Sequence, residues 1–158
     1  MKFAWNFGSK LSGQLVYYRA DYSIDFIPEE KDIKSKVGDV GTGCISIGTL
    51  QLELSILTGE VLFPWGLFPA TRWEEVTLKT PIFEGGRIFL MDPSILVCGG
   101  GVDLIGFGDW KTYFDSLSGW IYTGTEEPAE IVIGFGENVG ASLSGEKLIG
   151  LWMKPSFE

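Results

Sequence analysis

Three short turns constrain this chain more than anything else in it. Each combines leucine, then serine or threonine, then glycine: Leu57-Thr58-Gly59, Leu117-Ser118-Gly119 and Leu143-Ser144-Gly145. Each has apolar or alternating residues beside it, with Val61, Leu62 and Phe63 after the first. Ile121 and Tyr122 follow the second, and Leu148, Ile149, Leu151 and Trp152 the third. A glycine closing a short polar turn supplies the positive φ that a tight hairpin requires. Three hairpins of this kind predict a mainly antiparallel sheet. The turns are spaced unevenly, at 60 and then 26 residues, so they read as turn chemistry and not as the period of a propeller or solenoid.

The rest of the chain agrees. Leu50, Leu52, Leu54 and Ile56 alternate with polar residues, the period of a half-buried strand. Residues 13–27 carry a first extended signal that ends at Pro28, and Ser94–Cys98 reads as an apolar strand. A break at Gly48-Thr49 is either a bulge or a turn. Residues 28–43 are the most polar stretch and predict a solvated, mobile loop, with one helical turn after Pro28. Thr71 and Glu74 have capping-box spacing. The expectation is one β domain over 1–158, a sandwich or barrel of roughly ten short strands with little helix.

Composition narrows the chemistry. The chain has 12 basic and 21 acidic side chains, a net charge of −9 and no histidine. Most of that charge lies in residues 92–146, where Lys111 is the only base. Nucleic-acid and anionic-membrane binding are disfavoured by the sign. Without histidine, neither a Ser-His-Asp triad nor a histidine metal site can form. Cys44 and Cys98 read as reduced thiols of a cytoplasmic protein, and no stretch has the apolar length of a membrane span. The glycine-rich stretch 134–140 is followed by another turn and not by the helix a phosphate site needs. Neither a cofactor nor a metal is expected. Glu126, Glu127 and Glu130 could gather round a cation, but solvated loop charges explain them better.

Two features point to a partner. Trp65, Phe68 and Trp73 fall in a proline-rich segment and either line a small second core or anchor an interface. Asp109, Asp115, Glu126, Glu127, Glu130 and Glu137 supply carboxylates for a basic partner. The second and third turns, with the Glu126–Glu130 loop between them, would form the acidic grip.

In its shortness, acidity, hairpin content and lack of catalytic groups, the chain resembles the small acidic bacterial immunity proteins of polymorphic-toxin and contact-dependent inhibition systems. That resemblance implies a cytoplasmic, non-catalytic protein that occludes the active site of a cognate toxin domain, often a basic nuclease. A small-ligand-binding barrel or sandwich and a carboxylate-based hydrolase are the alternative readings.

Overall fold

The computed structural model describes all of residues 1–158. In chain order, β1 (Phe3–Phe7), β2 (Gly13–Tyr18) and β3 (Ser23–Pro28) precede the one α-helix, α1 (Glu30–Val37). Then come β4 (Thr42–Ile47), β5 (Leu50–Ser55), β6 (Val61–Leu67), β7 (Glu74–Glu75), β8 (Glu84–Leu90) and β9 (Gly101–Asp103). The last six are β10 (Lys111–Phe114), β11 (Ile121–Gly124), β12 (Ile131–Gly136), β13 (Val139–Ser144), β14 (Lys147–Met153) and β15 (Ser156–Phe157). They make an eight-stranded sheet, β1-β8-β12-β13-β14-β11-β10-β7, and a seven-stranded sheet, β15-β2-β3-β6-β5-β4-β9. The arrangement is sandwich-like and not a closed barrel.

The three predicted turns are all hairpin turns, and their glycines all have positive φ. The first two share one geometry. Gly59 N–H donates to Ser55 O and Gly119 N–H to Asp115 O, both at 2.8 Å. The third is tighter, with Ser144 paired to Lys147. The first turn also forms a corner between the sheets, because Leu90 N–H donates to Gly59 O and Glu60 bridges to Phe89. A Cβ on Gly59 would lie 2.4 Å from Leu90 O, so glycine is required there twice over.

Alternation along the strands sends one set of side chains into a core of 26 buried residues shared by both sheets, including Leu15, Leu52, Leu54, Ile88, Ile133, Leu143 and Leu151. Burying each such side chain contributes roughly 1.5–3 kcal/mol relative to leaving it in water. A charged cluster sits at the corner. Glu60 and Arg87 are both 6% exposed and meet at 3.2 Å. Arg87 also donates to Val61 O and Phe135 O, while Lys36 of α1 reaches the other side of Glu60 at 3.2 Å. Every nitrogen of the guanidinium therefore has an acceptor, which is what allows the charge to be buried.

Several local expectations change. Residues 28–43 hold a two-turn helix, Glu30–Val37, longer than the single helical turn expected after Pro28. Ile33 packs against the core, and Ser55 Oγ donates to Lys36 O, so distant residues fix it. Residues 13–27 are two strands, because the chain reverses at 19–22. Gly48-Thr49 is the turn of a β4–β5 hairpin. Ser94–Cys98 is not a strand: Pro93 starts a 3-10 turn that Asp92 caps. Residues 70–72 are also a 3-10 turn, and Thr71 caps nothing. There are fifteen strands where about ten were expected, the short edge strands being hidden among glycines and aromatic residues.

Candidate functional site

The two outward faces of the sandwich differ sharply. On the eight-stranded sheet, the segment 76–83 runs from β7 at one edge to β8 near the other, across the outer face. Leu78 N–H donates to Asp115 Oδ2 at 3.0 Å, and Phe83 stacks on Trp120 with centroids 5.0 Å apart. Trp152 and Tyr122 continue the aromatic layer. The rings lie on a glycine floor: a Cβ at Gly140 would come 2.6 Å from Phe83, and one at Gly150 2.4 Å from Tyr122. This face is closed by the protein's own side chains.

The seven-stranded sheet carries no such layer. None of its seven strands contains a lysine or an arginine. Its outward positions hold Asp25, Glu53 and Asp103, with Tyr18, Ile27, Trp65 and Leu67 among them. Strands β3 and β6 pair over only two residues, Ser23 with Leu67 and Ile24 with Gly66. Beside this short pairing is an open depression of about 570 Å³, lined by Tyr18, Asp21, Asp25, Gln51, Trp65 and Leu67 among others.

Trp65 is the fixed point of this face. Its Nε1–H donates to Glu53 Oε2 at 2.7 Å. The same oxygen accepts from Cys44 Sγ at 3.1 Å, and Ser46 donates to Gln51 alongside at 2.7 Å. Trp65 is 37% exposed, yet its ring is held by a charge-assisted hydrogen bond. Burial, with the Glu53 carboxylate as a second cause, pushes the Cys44 thiol up to about 12. Both cysteines are free, Cys44 buried and Cys98 exposed.

The three aromatic candidates therefore separate. Trp65 faces solvent, whereas Phe68 is buried and Trp73 packs against the core beside Tyr17, Phe68, Phe114 and Phe157. Phe68 lies in the main core and Trp73 packs against it, so neither forms a separate second core or an exposed anchor. The Trp73 Nε1–H is buried without an acceptor. A desolvated donor left unpaired costs about 1–3 kcal/mol, which makes it unusual in a folded protein.

The carboxylates separate as well. Asp115 is buried and works inside its turn. Its Oδ1 accepts from the N–H groups of Leu117 and Ser118 and its Oδ2 from that of Leu78. These hydrogen bonds, that from Leu78 foremost, hold its carboxyl below the usual aspartate range. It is not available to a partner. Asp109, Glu126, Glu127, Glu130 and Glu137 are exposed. Strand direction divides them: Glu137 shares one end of the sheet with the 115–120 turn, where Lys154 N–H donates to Asn138 O. Asp109, the 126–130 loop and the Gly145 turn are at the other end. The second and third turns thus cannot form one grip. Part of the loop is also committed internally, since Glu127 pairs with Lys147 at 3.4 Å and Glu130 accepts from Gly145 N–H at 3.0 Å. No three acidic or cysteine side chains converge in a geometry that would hold a metal ion.

A comparison with protein-family models gives no match, and no curated protein sequence matches the chain. No helix is long and apolar enough to cross a membrane.

Proposed function

We propose that this chain is a non-catalytic inhibitor that docks a basic protein on the open face of its seven-stranded sheet, in the manner of an immunity protein covering a toxin domain. One observation carries the reading: a sheet with no lysine or arginine in any strand presents Asp25, Glu53 and Asp103 around an exposed, clamped tryptophan. A lysine or arginine side chain of the partner enters the depression between Asp21 and Asp25 and lies against Trp65, combining ion pairing with cation–π attraction. The clamp matters because a pre-positioned aromatic anchor loses little side-chain entropy on binding. The net charge of −9 adds long-range steering, which speeds encounter with a cationic surface. Asp109 and the Glu126–Glu130 loop, at one end of the other sheet, contribute to that field without forming the contact.

The first partner to test is the product of the neighbouring open reading frame, where an inhibitor of this kind has its target. A basic C-terminal domain from that frame should co-purify with the chain, and the complex should weaken steeply between about 50 and 500 mM salt, as exposed charge pairs are screened. Affinity independent of salt, or no complex with that domain, contradicts the reading.

A further inference from the structure

A second site lies between the sheets and does not depend on the docking face. At the end where the Gly48-Thr49 turn meets the start of β10, the sheets part around a cleft of about 480 Å³. Ile47 and Leu50 wall it on one side, and Phe68, Trp73, Phe107 and Trp110 supply aromatic surface. Its polar groups are few and placed. Thr112 and Thr123 share one hydrogen bond at 2.9 Å, which leaves one hydroxyl proton free to donate. Arg72 and Lys111 also line the cleft, and neither takes part in any ion pair. Lys111 is the one base in residues 92–146. Glu74 is the single carboxylate among the lining residues, so the cleft is locally cationic in an acidic protein. Trp73, in its wall, carries the buried indole N–H that lacks an acceptor.

These features agree on one ligand chemistry. Apolar walls with a few converging donors are the general form of a small-molecule site. Every uncommitted polar group named above except Glu74 is a donor, and two are cations. We infer that the cleft binds a small amphipathic anion, an aromatic or short aliphatic carboxylate, with its apolar body among Leu50, Phe68, Trp73 and Trp110. The carboxylate faces Arg72 and Lys111.

The test uses 2-naphthoate as the probe and the neutral 2-naphthylmethanol as its control. Both are titrated into the intact protein while the assigned Trp73 indole N–H resonance is followed by NMR. Naphthoate should move that resonance saturably and bind about tenfold or more tightly than the alcohol, the scale of a charge-assisted contact. The double substitution Arg72→Gln/Lys111→Gln, at two exposed positions, should weaken naphthoate by about tenfold and leave the alcohol nearly unchanged. A Trp73 resonance that does not move up to about 1 mM naphthoate overturns the site. Equal affinity for the two probes, or a double variant that binds naphthoate as the parent does, overturns the assignment of an anion.

Discussion

Trp65 and Glu53 are joined across neighbouring strands by an Nε1–H···Oε2 hydrogen bond of 2.7 Å, on the outer face of the seven-stranded sheet. The bond fixes an exposed indole and at the same time sets the environment of Cys44, whose thiol donates to the same carboxylate oxygen. Glu53 therefore connects the exposed tryptophan to a measurable property of a buried thiol.

The cysteines should differ in reactivity. At pH 8, a thiol reagent should label one cysteine per native chain, the exposed Cys98, and two after denaturation. Cys44, held up to about 12, stays protonated. Because that value lies above the unfolded thiol value, the contribution of Cys44 to stability is complete below about pH 8.5 and declines as pH rises towards 12. Glu53→Gln removes the second cause and should accelerate Cys44 labelling, while burial keeps it slower than Cys98.

Glu60 is held between Arg87 and Lys36, so losing it strands a buried guanidinium. Glu60→Ala should destabilise the fold by about 3–5 kcal/mol in chemical denaturation, the usual consequence of breaking a buried pair. A loss below about 1 kcal/mol would show that the corner is held by the backbone bridge alone.

The glycines of the first and third turns should not be equivalent. Gly145 has φ +58° with open space where a Cβ would go, whereas the Cβ of an alanine at 59 would collide with Leu90 O. Gly145→Ala should cost about 1–2 kcal/mol from the left-handed backbone alone. Gly59→Ala should cost more, by a further 1–3 kcal/mol or so of steric strain. Equal losses would mean that the corner relaxes freely.

Asp115 makes the second turn acid-sensitive. Its carboxyl is held below the ordinary range, so its contribution is present above about pH 4 and is lost as pH falls through its own lower value. Asp115→Ala should lower the melting temperature at pH 7 and flatten its acid dependence. It should also expose the amide of Leu78 to hydrogen exchange, because that N–H loses its acceptor.

The sequence made the turns legible because a positive φ beside apolar residues leaves little alternative to glycine in a hairpin. It showed α1 only as one helical turn after Pro28, because its single core contact is Ile33 and its other supports, Ser55 and Glu60, are 19 or more residues away. Trp65, Phe68 and Trp73 look alike in a proline-rich segment. Only the pairing of β6 with β5 sends the first outward, and the turn at 70–72 folds the others inward. The acidic residues of 109–137 were visible as a charge excess, but strand direction placed them at opposite ends. The open face was written in the sequence as an absence, seven strands without a basic residue, and that became meaningful only once those strands formed one sheet.

The most direct test compares the dissociation constant of the neighbouring basic domain for three forms of the protein by calorimetry. Trp65→Ala with Asp21→Lys and Asp25→Lys should weaken binding at least 30-fold, the loss of a hot-spot residue of about 2 kcal/mol or more with its charges. Glu126→Lys with Glu127→Lys and Glu130→Lys should slow association but change affinity by less than about fivefold. If the first variant binds as the parent does and the second loses binding, the contact lies at the end of the eight-stranded sheet and the open face is not the docking surface.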